Sequence, residues 1–158
     1  MKIAILIWSV SLVAGITNAQ KLKEGEVPAT VKEAFARKFA GVKEVKWSKE
    51  GTTEFEAEFE NGKLEQSANF DNTGKWLVTE TEINAAQLPP AVQATISKEF
   101  AGYKIDEAEK AETSDQSDFF EVELKNGKMK YEVQISPDGK VIKKDEVRKK
   151  NEKEGKKD

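Results

Sequence analysis

"FENGKLEQSANFDNTGKW", Phe59 to Trp76, and "LKNGKMKYEVQISPDGKV", Leu124 to Val141, read as one hairpin written twice. Ahead of the first, Thr53–Glu60 alternates, with Phe55, Ala57 and Phe59 on one face and Glu54, Glu56, Glu58 and Glu60 on the other. A period of two marks a strand with one buried face. Asn61-Gly62 reads as a type I′ turn, which needs positive φ at both central residues. That turn sets Glu60 opposite Lys63, Phe59 opposite Leu64 and Phe55 opposite Ala68. In the second hairpin Leu124 faces Met129, Val122 faces Tyr131 and Phe120 faces Val133. Apolar meets mostly apolar, and a slip of one residue would turn every side chain to the wrong face. "DNTG" and "SPDG" form second turns from residues that tolerate turn geometry.

The repetition extends upstream. "VPATVKEAFARKFAGV" (Val27–Val42) matches "LPPAVQATISKEFAGY" (Leu88–Tyr103) at an offset of 61, and the hairpins match at an offset of 65. The difference falls in the polar stretch "KAETSDQSD". Val31, Phe35 and Phe39 recur at i, i+4 and i+8, the core-facing stripe of a helix, and Val92, Ile96 and Phe100 repeat it. Pro28 and Pro89 suit a first helical turn, and Gly41 and Gly102 suit the left-handed residue that ends a helix. Each copy therefore predicts a helix followed by strands at about 43–48, 53–60, 63–70 and 75–82, then 104–111, 118–125, 128–135 and 140–147. Trp47 and Trp76 are expected in the core beneath the helix.

The predicted fold is α+β: two tandem α-β4 repeats, each a helix packed on a four-stranded antiparallel sheet. One continuous eight-stranded sheet and two separate sandwiches both remain open, and the short link "NAAQ" favours close contact. The organisation reads as a signal peptide (1–19), an N-terminal linker (20–26), a first repeat (27–83), a linker (84–87), a second repeat (88–147) and a charged flexible tail (148–158). The signal segment has Lys2 at its start, an apolar run from Ile3 to Ala14, and Thr17 and Ala19 at the −3 and −1 positions of a cut before Gln20. The apolar run is too short for a membrane span, and no Cys follows it. The expectation is a periplasmic or secreted protein without a stable membrane anchor.

In order, "LP, apolar helix, FAG, alternating strand, NGK, strand, DxxG or PDGK" resembles the PepSY-like, β-lactamase-inhibitor-protein-like (BLIP-like) domains of exported bacterial proteins, across both copies. The resemblance implies an exported protein without known catalysis, and a binding or inhibitory role by analogy with the family's namesake. No inhibitor motif stands in the residues themselves, so inhibition is not carried over.

Composition narrows the chemistry. The 158 residues include no Cys and no His. There is thus no thiol nucleophile, no thiolate or imidazole metal ligand and no imidazole base. With a net charge of −3 and no concentrated basic face, nucleic acid is not an expected partner. Glu54, Glu56, Glu58 and Glu60 stand along one strand, spaced as a line and not as a cage, so a solvated face is expected. "FDNTGKW" has Asp71, Thr73 and Gly74 at calcium-loop spacing but lacks the closing Glu, so a plain turn is expected. No catalytic, cofactor-binding or metal-binding residues are assigned.

The apolar residues on the outward parity matter more. If Trp76 and Val141 point inward, Leu77 and Ile142 point outward at equivalent positions, and Phe119 shares that parity beside Phe120. The expected function is a non-catalytic module that binds an envelope protein or peptide on its open sheet face. Leu77, Phe119 and Ile142 would be apolar contacts there, with Glu56, Glu58 and Lys130 as polar surround. An envelope small-molecule or metal-ion sensor is the alternative, and a hydrolase is the most remote reading.

Overall fold

A computed structural model describes residues 20–147. The segments read as signal peptide and charged tail, 1–19 and 148–158, lie outside the described residues. The strands are β1 (Gln20–Leu22), β2 (Val45–Glu50), β3 (Glu54–Asn61), β4 (Leu64–Asp71), β5 (Trp76–Glu82), β6 (Lys104–Thr113), β7 (Phe119–Asn126), β8 (Met129–Ile135) and β9 (Val141–Glu146). The helices are α1 (Ala29–Lys38) and α2 (Pro90–Glu99). All nine strands form one antiparallel sheet in chain order. The strands fall within about two residues of their predicted bounds.

The open question of one sheet or two is decided by β5, which pairs with β6 from Val78↔Thr113 to Glu82↔Glu109. The sheet has nine strands and not eight, because residues expected as a linker supply β1, paired with β2 from Gln20↔Lys49 to Leu22↔Trp47. Glu24–Glu26 and Ala85–Gln87 each form a short 3₁₀ turn. In both turns the third side chain, Glu26 or Gln87, accepts a hydrogen bond from the backbone N–H of the residue before the turn, Lys23 or Asn84, at 2.6 and 2.8 Å.

Both helices lie on the same sheet face. Val31, Ala34 and Phe35 of α1, with Phe39 at its end, pack on Trp47, Phe55, Phe59 and Phe70. The Phe35 ring sits 5.0 Å from Phe59 and 5.4 Å from Trp47, edge to face in both cases. Val92, Ile96 and Phe100 cover Val122, Leu124, Val133 and Ile135 in the same manner. Each such burial contributes about 1.5–3 kcal/mol, so the two cores, with no disulfide, carry the fold. Trp47 is in the core as expected, while Trp76 is half-buried at its margin with Lys38 Nζ 3.4 Å from its ring centroid.

Two expectations need correction. The hairpin register is offset by two residues: Asn61 pairs with Leu64, Phe59 with Gln66 and Phe55 with Phe70, and likewise Asn126 with Met129 and Phe120 with Ile135. The turn is made by Gly62-Lys63, with positive φ at Gly62 (+72°) and not at Lys63. That is the pattern of a II′ turn, which places its glycine first. A two-residue offset leaves every side chain on its predicted face, so the apolar pattern could not detect it. The second correction concerns alternation. A bulge between β4 and β5 pairs Phe70 with Trp76 and Asn69 with Val78, leaving Leu77 without a cross-strand partner. Val78 thus moves to the face opposite Trp76. The same irregularity between β8 and β9 leaves Ile142 unpaired.

The "DNTG" segment is a turn, as expected. Asp71 Oδ1 accepts from the backbone N–H of Thr73 at 2.8 Å and of Lys75 at 3.0 Å. In the second turn Ser136 Oγ accepts from the Lys140 N–H at 3.1 Å. Asp71→Ala should lower unfolding free energy by about 1–2 kcal/mol, measured by urea titration, because two turn amides lose their acceptor.

Candidate functional site

The helices cover one face and leave the other bare, and there the acids gather. From β3 come Glu54 and Glu56, half-buried, and Glu58 and Glu60, exposed. The row expected to be a solvated face is therefore solvated only in its second half. Burial, with Glu50 and other acids nearby, pushes the Glu54 and Glu56 carboxyls up from their ordinary value, although Ser48 Oγ donates to Glu56 Oε2 at 2.9 Å.

The densest part lies over the seam between the two halves. Glu80 of β5, Glu109 of β6 and Glu121 of β7 bring carboxylate oxygens within 4.8 Å of one another. Strands in a sheet lie about 4.8 Å apart, so three acids on adjacent strands converge as acids along one strand cannot. Glu80 is only 8% exposed. Its Oε2 accepts from Ser67 Oγ at 3.2 Å, while its Oε1 is buried without a hydrogen-bond partner. Glu121 Oε2 accepts from Gln134 Nε2 at 2.9 Å. Burial first, and then the neighbouring carboxylates, push Glu80 to about 7 and Glu109 to about 8. Glu132 of β8 also rises to about 7 from burial and nearby acids, with Lys130 opposing.

The sequence-predicted contact residues are dispersed and do not share one patch. Phe119 lies on the expected face but is only 9% exposed, packed with Val78 and Ala111. It stitches β5, β6 and β7 together across the seam and offers little surface to a partner. Leu77 is half-buried at its bulge, and Ile142 is 53% exposed. Glu56 and Glu58 sit on β3, whereas Lys130 of β8 is ion-paired with Glu123 of β7. Glu56 and Glu58 approach the seam cluster; Leu77, Ile142 and Lys130 do not form one site with it. Gln20, the residue after the expected cleavage point, opens β1, and Ala19 lies outside the described residues.

Glu80, Glu109 and Glu121 were missed as a group by sequence reasoning. The outward parity of Glu121 was readable beside Phe120, but Glu80 shares the parity of Trp76 and reads as inward until the β4–β5 bulge turns it to the open face. Their approach depends on β5 pairing with β6 across a helix, for which no local signal exists.

This architecture defines a helix-backed, single-sheet antiparallel domain with an open acidic face. The chain belongs to the PepSY-like family, described as beta-lactamase-inhibitor-like, whose model matches residues 53–143. It is similar in fold to a BLIP-like protein from Bacteroides fragilis, with 23% identity, TM-score 0.64 and coverage of 81% of this chain and 92% of that one. A DUF2874 family protein from Bacteroides uniformis matches at 20% identity and TM-score 0.69, over 75% of this chain and 88% of that one. A predicted periplasmic protein from Bacteroides eggerthii matches at 16% identity and TM-score 0.69, over 76% and 88%. No curated protein matches the chain. No helix among the described residues is long and apolar enough to cross a membrane.

Proposed function

We propose that the protein is an exported, non-catalytic binding module, made of two copies of one α-β4 unit, whose open sheet face receives a cationic segment of an envelope protein or peptide. The uncovered acidic face carries this reading: both helices pack on one side, and the other presents carboxylates from β3 across to β8. Glu56 and Glu58 would meet the partner's cations, with Leu77 and Ile142 as apolar contacts and Lys130, tied to Glu123, at the rim. Charge of one sign on a broad surface speeds encounter with an oppositely charged partner and makes binding sensitive to salt. Export rests on the leader-like segment and its expected cut between Ala19 and Gln20. The family membership and the description of the B. eggerthii neighbour are consistent with it.

A fluorescent lysine-rich peptide, titrated with the protein at low ionic strength, should show saturable anisotropy. Binding should weaken steeply with salt, and should weaken about five- to tenfold in a Glu56→Gln/Glu58→Gln variant, at roughly 1 kcal/mol or less per exposed charge. Salt-independent binding, or equal affinity in the variant, would count against this face.

A further inference from the structure

We propose that Glu80, Glu109 and Glu121 form a binding site for a hard divalent cation, calcium in preference to magnesium, spanning the β5–β6 seam. The site is separate from the peptide-binding reading and stands or falls without it.

Three observations converge. The first is geometric: oxygens from three side chains on three adjacent strands lie within 4.8 Å of one another. Three oxygens can share one calcium at about 2.3–2.6 Å once they close to about 4–4.5 Å of one another, which lies inside that bound. Calcium's flexible shell tolerates donors fixed by three strands, whereas magnesium at about 2.0–2.1 Å demands near-octahedral ligands.

The second is the state of Glu80. A carboxylate more than nine-tenths buried, with Oε1 lacking any donor, is costly unless its charge is met. Ser67 satisfies only the other oxygen. The third is the surrounding charge. Glu56 of β3, Glu82 of β5, Glu107 of β6, Glu132 of β8 and Asp145 of β9 add acids around the cluster. The cation acting on Glu121 is Lys143 of β9, itself 2.7 Å from Asp145. Position and sign both call for a cation. With neither His nor Cys in the chain, the donors are oxygens, which select hard ions over zinc or copper.

The site would also join the halves. Its ligands come from β5 on one side of the seam and from β6 and β7 on the other, beside the small apolar cluster of Val78, Ala111 and Phe119. An ion that binds the folded chain alone stabilises it by RT ln(1 + L/Kd), with L its free concentration, and so increasingly as that concentration rises above Kd.

The test is isothermal titration calorimetry and thermal melting of the purified protein, stripped with chelator, against calcium, magnesium and zinc at pH 7.5. Calcium should bind saturably near one equivalent and raise Tm. It should displace protons, because Glu80 and Glu109 hold them near neutrality; the heat should then vary with the buffer's ionisation enthalpy. Glu109→Gln/Glu121→Gln should lower calcium affinity by at least about tenfold, the low end of what even an outer-shell partner contributes to metal affinity. That variant should melt no lower than the parent without calcium, which shows that it folds. Glu60→Gln, an exposed change away from the cluster, should bind as the parent does. No saturable calcium heat, no difference between the double variant and the parent, or zinc binding in preference to calcium would overturn the proposal.

Discussion

Gly74→Ala should lower unfolding free energy by about 2–5 kcal/mol, combining about 1–2 for a side chain at left-handed φ with about 1–3 for forced repacking. Gly74 has φ +86°, and a Cβ there would lie 2.6 Å from the Thr30 carbonyl oxygen in the first turn of α1. The obstacle is backbone, so no rotamer change relieves it. Gly139 repeats the arrangement, with φ +88° and a Cβ 2.7 Å from the Ala91 carbonyl oxygen of α2. The tip of each second hairpin turn is therefore pressed against the start of the helix that covers it. Thr95 Oγ1 adds a hydrogen bond to the Gly139 carbonyl at 2.5 Å. Gly139→Ala should cost a similar amount. Gly25→Ala, where a Cβ meets nothing within 4 Å and φ is not positive, should stay within about 0.5 kcal/mol as surface changes usually do. Urea denaturation of the three variants at fixed pH measures the contrast. Equal midpoints for Gly74→Ala and the parent would show that the helix and turn do not meet as described.

Stability should fall as pH rises from about 5 to 8, the reverse of the usual trend for an acidic protein. Glu80 and Glu109 ordinarily titrate at 4.5 and are pushed to about 7 and about 8 in the folded chain. Below about 4.5 both folded and unfolded states hold these protons, and no cost arises. Between 4.5 and the raised values the unfolded chain has released them while the folded chain retains them, so each step up in pH favours unfolding. Above about 8 the penalty is complete. For Glu80 the shift corresponds to about 3 kcal/mol, at about 1.4 kcal/mol per tenfold in acidity. The cluster as a whole gives less than the sum of its members, since neighbouring acids titrate together. Glu109→Gln removes one charge and should flatten the profile. Chemical denaturation across pH 5–8 in calcium-free buffer measures it, and a stability that rises through this window would exclude a buried carboxylate cluster.

The helices, the strand bounds and the inward face of the two Asn-Gly hairpins were legible because each is written locally. Val31, Phe35 and Phe39 repeat at helical spacing, and Phe55, Ala57 and Phe59 alternate against four glutamates. Either pattern can bury its apolar side in only one way. The exact pairing was not legible: types I′ and II′ around Asn61-Gly62-Lys63 differ by two residues in register and by none in facing.

What the sequence alone determined is thus the set of elements and their amphipathic faces. Tertiary structure alone decided that β5 joins β6 into one sheet, that β1 extends it, that bulges turn Val78 away from Trp76, and that Phe119 is buried at the seam. The same joining brought Glu80, Glu109 and Glu121 together. Period and turn chemistry act over a few residues along the chain, whereas proximity between adjacent strands is set across it by backbone hydrogen bonds that carry no side-chain signature.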